Sequence, residues 1–266
     1  MQLERVSIAT KSRGAEPEKI QIDFLVMPSK STLKSIRALK LKKYRANTGK
    51  FLVEGIKSVK EVLASDMKVD HVLVTEDFAS QITHENREIV GKNELKEVSN
   101  LSTNESCIAV VSMHVTDHRI LDKEICIYLD GITDPGNLGT IVRSLDWFGY
   151  NQVFCSLDTV DYYNSKTVMA TMGSFTRIKP TYIDLSELAN ELKGSRLYGM
   201  SLEGTPIRKV QIEAPAIIIM GSESHGIRKE TDQLLDERIS IPGKGRAESL
   251  NVAMATTLIL YDLSIR

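Results

Sequence analysis

The second half of the chain alternates short apolar runs with helical patterns, and this alternation constrains the fold more than any other feature. Strands that are joined through helices form parallel sheets covered on both faces. The pattern therefore predicts an α/β domain with a parallel sheet. The predicted strands are 125–129, 152–155, 178–183, 197–200, 216–220 and 239–241, and the predicted helices start near 137, 165, 185, 229 and 249.

The stretch 130–150, DGITDPGNLGTIVRSLDWFGY, predicts a loop followed by a helix. Asp134 suits the N-cap, Pro135 the first helical position and Gly149 the end of the helix. Four apolar residues at helical spacing give a buried face, and Arg143 lies roughly 140° around the helix from Leu138. Arg143 is therefore expected to face away from the core. A Gly- and Asn-containing turn that enters a helix N-terminus also favours binding of an anion or another polar ligand.

Two later stretches end predicted strands in glycine-rich turns. Residues 216–226 read AIIIMGSESHG, and residues 239–252 read ISIPGKGRAESLNV before a final apolar helix. The chain contains no GxGxxG and no GxxxxGK[ST], so dinucleotide-binding and P-loop sites are not indicated. The five histidines show no metal-ligand spacing, and no metal site is expected.

Together the three stretches resemble the motifs of the SpoU family of SPOUT methyltransferases, in order and in spacing. The matching positions are Asp134, Pro135, Asn137, Gly139 and Arg143; then Gly221, Glu223 and Gly226; then Ile241, Pro242, Gly245, Ser249, Leu250, Asn251 and Val252. The third motif departs from the family at Gly243, where a methionine is common after the proline. Enzymes of this family transfer a methyl group from S-adenosylmethionine to a ribose 2'-hydroxyl of RNA.

The resemblance implies a C-terminal SPOUT methyltransferase domain with a deep trefoil knot, and usually a homodimer to which the last helix contributes. It implies a catalytic set of Asn137, Arg143, Glu223, Ser249 and Asn251. It also implies cofactor contacts from Met200, Ser201, Leu202, Met220, Gly221, Gly226, Ile241 and Leu250. From the residues alone, the glycines also fit turns with positive φ, Glu223 fits a helix cap or a surface acid, and Ser249 fits the cap of the last helix.

Arg143 takes the place of the family's essential arginine. A guanidinium has a pKa above about 12 and is not expected to act as a base. We therefore expect Arg143 to clamp an RNA phosphate or the hydroxyl oxygen, where it stabilises developing negative charge. Histidine is a common general base, but His225 occupies an unmatched slot of the second motif, so we interpret it as a loop histidine.

The N-terminal half is interpreted as a small α/β domain that binds RNA. Residues 28–60 contain ten Lys or Arg and one acid, although the net charge of the whole chain is only -1. A single basic amphipathic helix is predicted from Ser31 to Arg45. Its exposed cations, next to Tyr44, suit phosphate neutralisation and base stacking, although a solvated lysine face is the alternative. The expected RNA contacts are Lys34, Arg37, Lys42, Lys43 and Arg45.

The length of 266 residues suits two domains. We expect an extension at 1–27, an RNA-binding domain at 28–115, a linker at 116–123 and the methyltransferase domain at 124–266. Met27 directly precedes the family-like region, which leaves open whether residues 1–26 belong to the native protein. No membrane span or signal peptide is indicated, and three cysteines without CxxC spacing favour inert core thiols and a cytoplasmic location.

Ribosomal RNA is the expected substrate because a basic domain accompanies the catalytic one. Transfer RNA is an alternative, and a methyltransferase that confers ribosome-directed antibiotic resistance would differ only in its target nucleotide. A non-catalytic RNA-binding or ribosome-assembly factor with the same fold is a further alternative. The intact polar residues of the three motifs favour catalysis.

Overall fold

The computed structural model describes residues 28–101, 103–114 and 124–266. The expected extension and linker lie outside the described residues. Two separate sheets are present, of four and six strands. No helix within the described ranges is long and apolar enough to cross a membrane.

The N-terminal sheet has the strand order β1-β4-β2-β3. β4 lies between β1 and β2 and is antiparallel to both, whereas β3 is parallel to β2. The strands are β1 Lys50–Glu54, β2 Val69–Val74, β3 Arg87–Ile89 and β4 Cys107–Ser112. The helices are α1 Lys30–Ala38, α2 Lys42–Thr48, α3 Ile56–Leu63, α4 Glu76–Ala79 and α5 Lys92–Val98.

The C-terminal sheet has the strand order β10-β8-β9-β5-β6-β7, and every pair in it is parallel. Its strands are β5 Ile125–Asp130, β6 Val153–Cys155, β7 Thr181–Tyr182, β8 Arg196–Pro206, β9 Ala216–Gly221 and β10 Glu237–Ser240. Its helices are α6 Pro135–Phe148, α7 Ser165–Ala170, α8 Leu185–Glu191, α9 Lys229–Asp232 and α10 Val252–Ser264, with short 3-10 turns at Ser174–Thr176 and Ile207–Lys209. The predicted α/β fold with a parallel sheet is confirmed, and the knot stays a prediction.

The strand order places two motif loops side by side. β5 has β6 on one side and β9 on the other, and Asp130 at the end of β5 pairs in register with Gly221 at the end of β9. The loops that follow these strands therefore leave the same edge of the sheet, where ligands of open α/β sheets bind. They carry the first and second motifs.

Helices α6 and α10 pack against each other. α6 buries Leu138, Ile141, Val142 and Leu145 completely, as the helical spacing predicted. Burial of each such side chain stabilises the fold by about 1.5–3 kcal/mol. Along the contact, the hydroxyls of Ser144 and Thr257 are 2.7 Å apart. The two helices thus fix the relative positions of the first and third motifs.

The single basic helix predicted from Ser31 to Arg45 is wrong. The chain forms α1 and α2 instead, separated by Leu39, Lys40 and Leu41. The guanidinium of Arg45 donates to the carbonyls of Leu39 at 2.9 Å and Lys40 at 2.8 Å. These bonds satisfy acceptors that lose their partners where α1 ends. The break turns Leu41 outward, so that it is exposed rather than part of an apolar face.

The cysteines are buried and unpaired, as expected of core thiols. Burial raises the pKa of Cys107 to about 11 and that of Cys126 to about 12, and it raises the pKa of Cys155 as well. A thiol whose pKa lies so far above neutral pH does not form the reactive thiolate.

Candidate active site

Three polar side chains from the three motifs form one hydrogen-bonded cluster. The Asn251 amide donates to Asn137 Oδ1 at 2.9 Å, and the Asn137 amide donates to a carboxylate oxygen of Glu223. Glu223 therefore fixes the Asn137 amide, which in turn accepts from Asn251. Because these residues are separated by 86 and 114 positions along the chain, the cluster is a product of the fold.

Local capping chemistry explains how two members of this cluster are held. Asp134 caps α6 and accepts from the backbone N–H of Asn137 at 2.8 Å. Asn251 caps α10 and accepts from the N–H groups of Ala253 and Met254. The N-termini of α6 and α10, which favour negative charge, thus meet beside the carboxylate of Glu223. The expectation that Ser249 caps the last helix is wrong, since Asn251 fills that position.

A pocket of about 670 Å³ opens at the carboxyl ends of β9 and β10, beside β8. All eight residues expected to contact the cofactor line it, together with Glu223 and Ser249. The volume falls within the roughly 300–1,000 Å³ of small-molecule sites. Its lining combines apolar side chains such as Met220 and Ile241 with polar groups at the rim. This composition suits a ligand with an apolar ring and a charged end.

Gly221 is required by a close approach of backbone. A Cβ built there would lie 2.2 Å from the carbonyl carbon of Gly226 and 2.3 Å from the nitrogen of Ile227. Gly226 has a φ of 66°, the left-handed region that favours glycine, and its N–H donates to the carbonyl of Ser222 at 2.9 Å. The two glycines allow the loop to fold back against the end of β9. From the residues alone, Gly221, Gly226, Gly243 and Gly245 each fitted a turn with positive φ. Among these four, only Gly226 has a positive φ.

The same loop is tied to β5 by Arg228. Its backbone N–H and its guanidinium both donate to the carboxylate of Asp130, which is fully buried. The guanidinium also lies 3.3 Å from Asp158, in the loop after β6. The carboxylate of Asp130 raises the pKa of Arg228 through this hydrogen bond. Arg228 thereby anchors the loop that carries Glu223 to the centre of the sheet.

The sequence did not predict this anchor. Asp130 carried a signal, because it is a charged residue at the end of an apolar strand, where burial requires a partner. Nothing in the sequence identified Arg228 as that partner, 98 residues away.

Arg143 is exposed on α6, as its helical position predicted. Among the described residues it makes no hydrogen bond or ion pair, and it does not join the cluster of Asn137, Glu223 and Asn251. His225 lines the pocket, and its Nδ1 lies 2.7 Å from the Ser224 hydroxyl. No group of three or more potential metal-ligating side chains occurs within the described parts of the chain.

The basic surface of the N-terminal domain includes four of the five residues expected to bind RNA. Lys34, Arg37, Lys42 and Lys43 are exposed, and Tyr44 beside them is 46% exposed. The expectation for Arg45 is wrong. Arg45 is 5% exposed and forms an ion pair with Asp161, so its guanidinium is not available to a phosphate.

Comparison with known sequences identifies both halves of the chain. The sequence model of the SpoU rRNA methylase family matches residues 124–261, more than half of the chain. The chain belongs to the SpoU rRNA methylase family. A second model, of the MRM3-like substrate-binding domain, matches residues 30–116 of this SpoU protein.

Relatives of this SpoU protein extend over both sheets. A 23S rRNA (guanosine(2553)-2'-O)-methyltransferase, RlmP of Bacillus subtilis (strain 168), is 30% identical over 87% of this chain and 95% of its own. The structure of a proposed TrmH-family RNA methyltransferase from Porphyromonas gingivalis has a TM-score of 0.80 at 30% identity and covers 89% of this chain and 98% of that one. An AdoMet-bound rRNA methyltransferase from Sinorhizobium meliloti has a TM-score of 0.77 at 26% identity, over 89% and 95% of the two chains.

Proposed function

We propose that this protein transfers the methyl group of S-adenosylmethionine to a ribose 2'-hydroxyl of 23S ribosomal RNA, in the cytoplasm. The observation that carries the proposal is the Asn137–Glu223–Asn251 cluster at the border of a pocket that all eight expected cofactor residues line. Membership of the SpoU family and the substrate named for the Bacillus subtilis relative support the same activity.

The pocket residues fit S-adenosylmethionine. Leu202, Met220, Ile241 and Leu250 offer apolar surface to an adenine ring, and the fold-back of the loop onto Gly221 holds Glu223 and Gly226 at the pocket. When bound, the cofactor supplies an electrophilic methyl group that leaves behind a neutral thioether. The donor therefore needs little acid–base help, and the task of the protein is to align the acceptor oxygen with the methyl group. Ser249 and the ordered amide of Asn137 are the polar groups that we assign to this alignment.

We assign Arg143 to binding the RNA that accepts the methyl group. Its guanidinium is exposed and has no protein partner within the described residues, so it is free to bind a phosphate or the attacking oxygen. Guanidinium groups are always charged in proteins, so this side chain stabilises negative charge rather than removing a proton. Arg143→Lys keeps the charge and loses the planar fork, so we expect a large fall in activity; full activity would exclude a bidentate clamp.

The RNA is assigned to the exposed cations of α1 and α2, Lys34, Arg37, Lys42 and Lys43. Lys42→Gln together with Lys43→Gln is expected to weaken RNA binding and to lower the slope of log K against log salt by about 0.7 per lost phosphate contact. Lys193→Gln, an exposed charge in the other domain, is the matched control. An unchanged salt slope in the double variant would remove these lysines from the RNA site.

A homodimer is proposed from the outer faces of α6 and α10. Trp147 is 84% exposed, and Met254 and Tyr261 on α10 are 60% and 50% exposed, and large apolar side chains exposed on two packed helices favour an interaction surface. Arg143 is four residues before Trp147 and so lies on the same face of α6. Light scattering should give the mass of two chains for the wild type, and Trp147→Glu should lower that mass towards the mass of one chain. A wild-type mass of one chain would refute the dimer.

The decisive experiment is calorimetric titration with S-adenosylmethionine and S-adenosylhomocysteine, followed by mapping of 2'-O-methyl groups in RNA from cells with and without the protein. Saturable binding and the loss of one methyl group from 23S rRNA are expected. A missing methyl group in transfer RNA would instead identify that substrate. Absence of both cofactor binding and any lost methyl group would favour the non-catalytic RNA-binding factor. His225→Ala is expected to leave methylation intact.

A further inference from the structure

The junction between the two sheets contains a nearly buried ion pair. The guanidinium of Arg45, at the end of the basic surface, lies 2.5 Å from the carboxylate of Asp161 in the methyltransferase domain. Their side chains are only 6% and 18% exposed. Arg45 Nε also donates to Asp161 at 3.2 Å, and Nη1 donates to the carbonyls of Leu39 and Lys40. One side chain therefore holds the turn between α1 and α2 and binds it to the other domain.

Asp161 continues this connection towards the active site. It lies between β6 and α7, accepts from the N–H of Tyr163 at 3.2 Å, and its own carbonyl accepts from the Thr167 hydroxyl of α7 at 3.3 Å. α7 packs directly on α6, because a Cβ at Gly139 would lie 2.5 Å from Ala170 Cβ. α6 carries the catalytic candidates of the first motif. The ion pair is thus linked to α6, the helix that carries the first motif, through the packing of α7.

The junction also contains aromatic packing and a more exposed ion pair between Arg177 and Glu61, 3.5 Å apart, with both side chains 52% exposed. Phe51 of β1 packs on Tyr163 and Phe175, with ring centroids 4.6 Å and 5.9 Å apart, and the N–H of His114 donates to the Tyr163 hydroxyl. Apolar burial holds surfaces together but is non-directional. An Arg–carboxylate pair has a defined geometry and leaves a costly unpaired charge if the domains rotate apart. Arg45 and Asp161 therefore provide orientation that the aromatic contacts do not, and solvent weakens their attraction less than that of the exposed pair Arg177–Glu61.

We propose that Arg45 and Asp161 are positioning residues that fix the RNA-binding surface relative to the methyl-donor pocket and so set which ribose reaches it. This inference rests on the proposed function. The exposed cations of α1 and α2 flank the turn that Arg45 holds, so a change at the junction moves the bound RNA relative to the pocket. Small displacements of this kind are costly, since a misplacement of about 1 Å can reduce a rate about 100-fold.

Asp161→Asn is the primary test, because Arg45→Gln also removes the two bonds that hold the α1–α2 turn. Methyl transfer is measured with S-adenosylmethionine and ribosomal RNA from a strain that lacks the protein. We expect kcat to fall about 10- to 100-fold, while the KM for RNA and the Kd for S-adenosylmethionine stay at wild-type values. Methyl groups should also appear at riboses near the wild-type site. In a double-mutant cycle, the variant that carries both Asp161→Asn and Arg45→Gln should lose no more kcat than the more damaging of the two single variants.

Asp77→Asn is the matched control, since it removes an exposed ion pair with Lys92 inside the N-terminal domain. It should leave kcat and the methylation site unchanged. A wild-type kcat and site in Asp161→Asn, or an equal loss in Asp77→Asn, would overturn the positioning role. A fall in kcat with additive single effects would overturn the pairing.

Hydrogen exchange separates this proposal from the proposed function. Asp161→Asn should accelerate exchange of backbone amides in residues 39–48 and 156–164, and Asp77→Asn should not. If the wild type transfers no methyl group to ribosomal RNA, the proposed function fails. The hydrogen-exchange comparison then tests by itself whether Arg45 and Asp161 hold the two domains together. Unchanged exchange at both segments would overturn the junction as a fixed contact.

Discussion

Replacement of Gly221 by alanine provides a sharp test of the loop that closes the pocket. An added Cβ would lie 2.2 Å from Gly226 C, 2.3 Å from Ile227 N and 2.5 Å from Gly226 O. Non-bonded carbon contacts are most favourable at about 3.5–4.0 Å, so the loop must retreat by roughly 1 Å or more. The obstructing atoms are all backbone atoms, which cannot rotate away as a side chain would.

The expected cost of Gly221→Ala follows from this displacement. Overpacking of a well-packed site costs about 1–3 kcal/mol. The loop after β9 both lines the pocket and carries Glu223, so the cost should appear in the binding of S-adenosylmethionine as well as in folding. If the whole cost falls on binding, the Kd rises about 5- to 150-fold.

Two measurements check this prediction. Calorimetric titration gives the Kd for S-adenosylmethionine, and urea unfolding followed by circular dichroism gives the midpoint. Gly243→Ala is the matched control, because a Cβ there meets nothing within 4 Å and the φ of Gly243 is not positive. The control should match the wild type in both measurements. A Gly221→Ala protein with wild-type affinity and midpoint would refute the close approach of loop and strand.

Three further perturbations test the site and the junction. Asn137→Asp sets a carboxylate against Glu223, so activity should fall at least about 10-fold through like-charge repulsion, and retained activity would contradict the cluster. Arg228→Gln leaves Asp130 buried without its cation; because the Arg228 side chain is 42% exposed, we expect a loss of about 1–3 kcal/mol, less than for a fully buried pair, in urea unfolding. Burial lowers the pKa of His114 below its usual 6.5, so the unfolded chain binds this proton more readily and stability should fall as the pH drops through about 6.5. His114→Gln should weaken that dependence between pH 7 and pH 5, and an unchanged dependence would exclude His114 as its source.

Local chemistry made the first motif predictable. Asp134, Pro135 and Gly149 define the ends of α6 through interactions with their own neighbours, so the sequence was sufficient to place them. The parallel sheet was predictable for a similar reason, because alternation of strands and helices is a pattern along the chain. The pocket lining came from the family resemblance rather than from periodicity.

Contacts between distant segments were not predictable. Arg45 looked like one more cation of a basic helix, but its partner Asp161 lies 116 residues further along. The cap of α10 was placed two residues early, since residues 242–251 carry no periodic pattern that marks where the helix starts. In each case the destination of a polar side chain depends on tertiary structure, which the sequence pattern alone does not describe.

The position of Asn251 restricts the residue types that the third motif can accept. Its Oδ1 accepts from two backbone N–H groups of α10, and its Nδ2 donates to Asn137. Serine or aspartate would satisfy the cap, but an ionised aspartate has no hydrogen to donate, and a serine hydroxyl is too short to serve both sites. Glutamine has both groups on a longer stem that suits capping poorly. The start of a helix and the order of the polar cluster therefore depend on the same amide, and a single substitution there changes both.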